Sequence, residues 1–291
     1  MRAQLFLGVD GGGTGCRARI EEADGNVLGS GLAGPATTRL GIDAAWASVA
    51  RAFTAAIEEA GLAGDEVASV HCGIGLAGIG RKGARESLEA IEHPFASIRF
   101  TSDGMGACLG AHSGRDGGIV IAGTGSIGLG LVDGRDLRVG GYGFPISDEG
   151  SGADMGLAAV RLALRANDGR LEQTALLSEV MRRFDSDPMK AVAWMDRATA
   201  TDYATLAPMV MRHADQGDAA ARRIVQGAAG EIDTLVRALF DMGAPRVTLL
   251  GGLATPLEPW LAPDVRRRLK PADGDAVSGA IILAKARGGG R

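Results

Sequence analysis

Short apolar runs that end at glycine alternate along this chain with longer amphipathic stretches. Residues 4–9, QLFLGV, form the first such run and read as a buried strand, with Arg17 to Glu22 as its hairpin return and Asp24-Gly25 as a hairpin-type turn. From Asp43 to Ala60 the period becomes helical. Trp46, Val49, Ala50, Phe53 and Ile57 share one face, Asp43 is placed as the N-cap, and Gly61 stops the helix. Val67 to Gly75 reads as a strand, Lys82 to Ile91 as a short helix, and Ser97 to Thr101 as a strand ending at Ser102-Asp103-Gly104.

The opening pattern then returns. Gly118 to Ala122 reads as a strand, Gly123-Thr124-Gly125-Ser126 as a turn, Ile127 to Val132 as a return strand, and Asp133-Gly134 as a second hairpin turn. This matches the earlier order of strand, Gly13-Thr14-Gly15, return strand and Asp24-Gly25, so the chain carries an internal duplication. The second half is mostly helical: Gly152 to Ala166, Thr174 to Phe184, Pro188 to Ala198, Tyr203 to Gln216 and Asp218 to Met242, the last stopped by Gly243 before Pro245. Arg246 to Leu250 is a strand running into Gly251-Gly252, and a helix over residues 275–286 follows. Strands alternating with helices predict an α/β protein with two related halves.

Composition narrows the class. The 291 residues suffice for two domains, and 46% hydrophobic with 23% charged residues is ordinary for a globular chain. Glycine is not ordinary: its 46 residues are about twice the usual fraction, and they gather at strand ends. The net charge is −4, and the densest basic run is only Arg266, Arg267, Arg268 and Lys270, so no nucleic-acid partner is expected. Cys16, Cys72 and Cys108 are far apart and form no CxxC, which fits a reducing cytoplasm. The first residues show no signal-peptide pattern, and the apolar run at 119–132 is broken by glycines, so no membrane association is expected. His71, His93, His112 and His213 share no ligand spacing, and Trp194 and Met195 are assigned to a helix core.

The chemistry sits in the two glycine loops. Glycines at positive φ would expose consecutive backbone N–H groups, which bind anionic oxygens without a large side chain in the way. Thr14, Thr124 and Ser126 add hydroxyls. Asp10 beside a phosphate would be repulsive unless a cation intervenes, so Asp10 is assigned to hold Mg²⁺ through water. The same loops would also serve as plain tight turns. GxxxxGK[ST] is absent, and the glycines lie between two hairpin strands, so neither the P-loop nor the dinucleotide-binding fingerprint applies.

With the loops in hand, DGGGT (10–14), TSDGMGA (101–107), AGTGS (122–126), GGYGFPISDEGSGADMG (140–156) and LLGGLA (249–254) resemble the bacterial glucosamine kinases and related N-acetylglucosamine kinases. These belong to the BadF-type ATPases of the sugar-kinase, actin and heat-shock-chaperone superfamily. The resemblance spans almost the whole chain in the same motif order. It implies two ribonuclease-H-like, actin-like ATPase domains, 1–107 plus 276–291 and 108–275, with ATP and an amino sugar in the cleft between them. Asp10, Gly11, Gly12, Gly13 and Thr14 would form the first phosphate loop, and Gly123, Thr124, Gly125 and Ser126 the second. Gly251, Gly252 and Leu253 would border the adenosine, with Ala214, Gln216, Gly217 and Asp218 as the other adenine wall; Asp218 also reads as a helix N-cap.

By the same resemblance Asp103 would be the catalytic base and face the sugar, although a carboxylate just after a strand is also a common helix cap. Thr37, Gly75, Gly140, Gly141, Asp148 and Glu149 would line the sugar, and a solvated acidic turn is the plainer reading of the last two. Human-type N-acetylglucosamine kinases carry Asn near the position of Thr37 and another just after the second loop, where this chain has Ile127. That departure favours the free amino sugar, glucosamine. A homodimer is left open. Two other classes stand as alternatives: a reductase-activating ATPase, which needs cysteines around an iron–sulfur cluster, and a silent sugar-sensing regulator.

Overall fold

The computed structural model describes residues 4–286, and the chain divides into two compact units. One holds the residues up to Gly117 and those from Pro271 on; the other is Gly118–Lys270. The outermost ends of the expected first domain, 1–3 and 287–291, lie outside the described residues. A boundary after residue 107 would cut the helix Asp103–Ala111, which lies whole in the first unit.

The first unit is built on β1 (Leu5–Gly11), β2 (Cys16–Glu22), β3 (Val27–Ala33), β4 (His71–Leu76) and β5 (Ser97–Thr101), in the order β3-β2-β1-β4-β5. The first three form an antiparallel meander, and β4 and β5 run parallel to β1. The turn at Asp24-Gly25 closes as its sequence predicts: Gly25 has φ 94° and donates to the Glu22 carbonyl at 3.0 Å. Two local expectations give way. The strand expected from Val67 begins only at His71, because Asp65–Ala68 forms a helical turn. Asp43 does not cap its helix; Gly41 occupies that place with φ 97°, and Asp43 sits in the first turn, where its charge still complements the helix dipole.

The second unit repeats the plan. β6 (Gly117–Ala122), β7 (Ser126–Val132), β8 (Arg135–Val139) and β9 (Val247–Leu250) lie in the order β8-β7-β6-β9, with β9 parallel to β6. The duplication therefore extends from the loops to the sheets. Asp133 and Gly134, at φ 50° and 71°, make the hairpin turn into β8. Between β8 and β9 come the helices, of which Gly152–Asn167 and Ala219–Asp241 are the longest. The single helix expected over Tyr203 to Gln216 is two, Ala200–Ala204 and Ala207–Asp215. The second carries a proline, Pro208, in its first turn, where the missing N–H costs nothing.

The final helix, Ala276–Lys285, belongs to the first unit. Asp275 caps it by accepting from Ser278 N at 2.8 Å, and Val277, Ile281 and Ala284 bury against Phe6 of β1. It crosses the Asp103 helix at backbone distance. A Cβ on Gly279 would lie 1.8 Å from the Gly106 carbonyl oxygen, and one on Gly110 would lie 1.9 Å from that of Asp275. Only glycine permits this approach. Replacing Gly279 by Ala is expected to destabilise the protein by about 1–3 kcal/mol, read as a lower urea midpoint; an unchanged midpoint would show that the two helices part at no cost.

Candidate functional site

In the first unit, three parallel strands deliver their C-terminal ends to one edge. The register places Asp10 of β1 beside Gly75 of β4, and Gly75 beside Thr101 of β5. Asp103 follows immediately, as the first residue of its helix. The cap itself is Ser102, whose hydroxyl accepts from Met105 N at 3.0 Å, so Asp103 is not needed for capping. Gly75 leaves the room: a Cβ there would lie 3.6 Å from the Asp103 Cα. Open edges of this kind are where α/β sheets bind ligands.

The two carboxylates differ in surroundings. Asp10 receives the Arg17 guanidinium at 2.7 Å, directly across the β1–β2 ladder. Among the described residues no cation pairs with Asp103; burial, opposed by the Gly104 N–H and reinforced by the nearby Asp10 charge, raises its carboxyl above the ordinary range. Arg17 was not singled out from the sequence. The tight hairpin register, Gly11 opposite Cys16, would have found it, because it sets Asp10 opposite Arg17.

The first glycine loop is closed by Gly12 N donating to the Gly15 carbonyl at 2.9 Å, and the second by Gly123 N donating to that of Gly125, also at 2.9 Å. The expected positive φ is not found: none of Gly11, Gly12, Gly13, Gly15, Gly123 or Gly125 lies in the left-handed region, although the chain bends at 13–14 and at 123–125. Gly13 and Gly123 have nothing within 4 Å of where a Cβ would stand. Neither turn geometry nor internal packing therefore requires glycine at these two positions. Bare backbone facing open space, beside the exposed Thr14 and Thr124 hydroxyls, suits an oxyanion ligand.

The second loop is braced by its own unit. The helix Gly152–Asn167 docks on it, with Gly152 N and Ala153 N donating to the carbonyls of Gly123 and Thr124 at 2.8 and 3.1 Å. Ser126 is buried and its hydroxyl donates to the Glu149 carbonyl at 2.7 Å, so it is no spare donor for a ligand. Asp148, at φ 66°, presses on the same loop: a Cβ on Gly125 would lie 2.7 Å from its carboxylate oxygen. Gly140 and Gly141 follow β8 with φ 64° and 70°, and the Arg138 guanidinium donates to both carbonyls. Ile127 packs on Gly141, where a Cβ would meet it at 2.5 Å. Glu149 is exposed and accepts from the Ser147 hydroxyl at 3.1 Å.

The remaining residues serve local structure. Gly251, with φ 98°, lies so close to β6 that a Cβ would come 2.2 Å from the Ala122 carbonyl; Gly252 is open, and Leu253 N donates to that carbonyl at 3.0 Å. Gly217, with φ 91°, ends the helix Ala207–Asp215. Its N–H bonds the Ala214 carbonyl, that of Asp218 bonds His213, and Gln216 is the cap. Asp218 then caps the next helix through Ala221 N at 3.0 Å and also accepts from Leu176 N at 2.9 Å. Thr37 is buried in the first unit, bridging Ala77 and accepting from Arg39 N. Among the described residues no helix is long and apolar enough to cross a membrane.

A family model, the BadF/BadG/BcrA/BcrD ATPase family, matches residues 7–283. The chain is 42% identical, over 96% of its length and 95% of the relative's, to the glucosamine kinase GspK of Vibrio cholerae. It is 29% identical over 97% of its length and 98% of the relative's to an N-acetylmuramic acid/N-acetylglucosamine kinase of Clostridium acetobutylicum. A crystal structure from Chromobacterium violaceum, solved as a candidate N-acetylglucosamine kinase, superposes with a TM-score of 0.87 at 36% identity, covering 97% of this chain and 99% of that one.

The raised Asp103 carboxyl has a signed consequence. A carboxyl raised by the fold contributes stability below its unfolded value, and that contribution is lost as pH rises through the folded one. Asp103→Asn is therefore expected to be at least as stable as the parent to urea at neutral pH. In a carbon-13 titration Asp103 should titrate above the ordinary ~3.9 of an aspartate and move down in Asp10→Asn; a midpoint at or below the ordinary value would contradict the arrangement.

Proposed function

Because the chain belongs to the BadF/BadG/BcrA/BcrD ATPase family, we propose that it transfers the γ-phosphoryl group of ATP to the 6-hydroxyl of an amino sugar, with D-glucosamine as the preferred acceptor. One observation carries the reading: the parallel strands β1 and β5, on either side of β4, deliver two carboxylates to one edge, one paired with Arg17 and one raised by burial. Phosphoryl transfer needs those two roles, since catalysis is mainly positioning and charge stabilisation around an acceptor oxygen.

Asp103 takes the proton of the sugar hydroxyl as the new oxygen–phosphorus bond forms and the bond to the bridging oxygen of ADP breaks. Its raised value brings it nearer the working pH than an ordinary aspartate, where a general base is most effective. Gly11, Gly12, Gly13 and Thr14, with Gly123, Thr124 and Gly125, are the phosphate loops; Ser126 acts through its backbone and by holding the Glu149 carbonyl. Gly251, Gly252 and Leu253, with Ala214, Gln216 and Gly217, serve the adenosine, and Asp218 fixes the turn that carries them. A single hard carboxylate fits Mg²⁺ kept largely hydrated, so Asp10 would hold it through water. Bound there, Mg²⁺ neutralises charge on the phosphates.

The sugar is assigned to Thr37, Gly75, Gly140, Gly141, Asp148 and Glu149. Two features favour a free amine. Ile127, on Gly141, offers no hydrogen bond where an amide would meet an N-acetyl group. Asp148 and Glu149 offer negative charge for an ammonium. The likeness to a glucosamine kinase points the same way. A reductase-activating role is disfavoured by cysteine chemistry: Cys16, Cys72 and Cys108 are buried, and burial, with the Asp10 charge, pushes the Cys16 thiol up to about 12, whereas cluster ligation requires thiolates.

A coupled ADP-release assay over hexoses and hexosamines tests this. Glucosamine is expected to give the highest kcat/KM and N-acetylglucosamine a lower one; ADP release indifferent to sugar would reject it. Asp103→Asn should bind ATP normally and lose at least about a hundredfold in kcat; near-parental turnover would remove Asp103 from the role.

A further inference from the structure

The second unit contains a cavity of about 640 Å³ between the helices Gly152–Asn167 and Ala219–Asp241. That volume is of ligand size. None of the residues assigned above to ATP or sugar lines it. Its floor is apolar, from Met155, Ala158, Leu162 and Ile224. Its rim carries four arginines, Arg161, Arg165, Arg170 and Arg223, on a chain whose net charge is −4. Arg170 is held by Asp168, at 2.6 Å. The other three are exposed and make no hydrogen bond or ion pair with a described residue.

The charge is polarised. Asp154 and Glu231 also line the cavity. On the first helix Asp154 precedes Arg161 by seven residues, roughly 10 Å along the axis. On the second, Glu231 follows Arg223 by eight, roughly 12 Å. Gly150 identifies the acidic end: its N–H donates to Asp154 at 3.0 Å, and a Cβ on it would lie 3.1 Å from the Glu231 Cβ. One end of the cavity is thus cationic and the other anionic, over an apolar floor.

We propose that this cavity is a second ligand site, for a small phosphate monoester that also bears an ammonium group. The unpaired guanidiniums take the phosphate, since their planar donors match its oxygens. Asp154 and Glu231 face the ammonium, and the apolar floor accommodates the carbon skeleton. An amino sugar phosphate has this chemistry; choosing it over other aminophosphates rests on the reading under Proposed function, whose product it is. Gly150 closes the sugar-side loop and touches the cavity wall through Asp154, so a ligand here would reach that loop from behind.

Calorimetry on the full chain tests the site, with glucosamine and a non-hydrolysable ATP analogue present to fill the proposed reaction site. Glucosamine 6-phosphate is expected to bind one-to-one, more tightly than glucose 6-phosphate, AMP or inorganic phosphate. Arg161→Ala combined with Arg165→Ala should weaken it at least about tenfold, while leaving glucosamine turnover at low product unchanged. Asp103→Asn should bind it as the parent does. Absence of saturable binding, affinity unchanged in the arginine variant, or inorganic phosphate or AMP binding as tightly would overturn the proposal. Because calorimetry needs no turnover, binding that depends on the arginines would stand even if no sugar were phosphorylated.

Discussion

The ion pair between Asp10 and Arg17 sets the terms for everything at the edge of the first sheet. Two carboxylates at one sheet edge, separated by the single strand β4, repel, and in a half-buried setting the repulsion would favour protonating one of them. The guanidinium separates them: Asp10 has a charged partner at 2.7 Å, whereas at Asp103 burial and a like charge outweigh the Gly104 N–H. Asp10 is thereby held in an ion pair, and Asp103, raised by burial, is fitted to accept a proton. The same logic separates acid from base wherever paired carboxyls take different roles.

That edge depends on how little side chain the surrounding backbone carries. Gly75 stands between the two acids, and Gly106 and Gly110, on the helix that Asp103 begins, lie against the final helix. The second unit uses glycine for another purpose. Gly125 and Gly141 make room for Asp148 and Ile127 next to them, so the loop's chemistry comes from the neighbours it admits. Gly13 and Gly123 fit neither description, and their open surroundings are the feature that most resembles a place prepared for a ligand.

Much of this was legible in the sequence because it is local. Ser97–Thr101 was found to the residue, both Asp-Gly turns behave as such turns do, and Gly243 ends its helix. The repeated hairpin foretold two related sheets. What escaped depended on pairing at a distance. Arg17 matters only once the ladder sets it opposite Asp10, and Gly41 displaces Asp43 because the preceding turn already fixes the helix start. The sequence predicts left-handed loop glycines, but the bends at 13–14 and 123–125 are made without positive φ. The arginine-rimmed cavity was invisible for the same reason: Arg161 and Arg223 become neighbours only when two long helices pack.

The final helix has a consequence for how the molecule comes into being. It follows the entire second unit in chain order, yet it covers β1 and β4: a Cβ on Gly8 would come 2.5 Å from the Val277 carbonyl, and one on Gly73 would come 2.0 Å from that of Ala280. During synthesis the earliest strands must therefore wait, with one apolar face uncovered, until the helix Ala276–Lys285 has followed the whole second unit out of the ribosome. The inserted unit, contiguous in the chain, can mature first. Translation order thus lets the half that carries Asp10 and Asp103 be sealed only after the inserted unit.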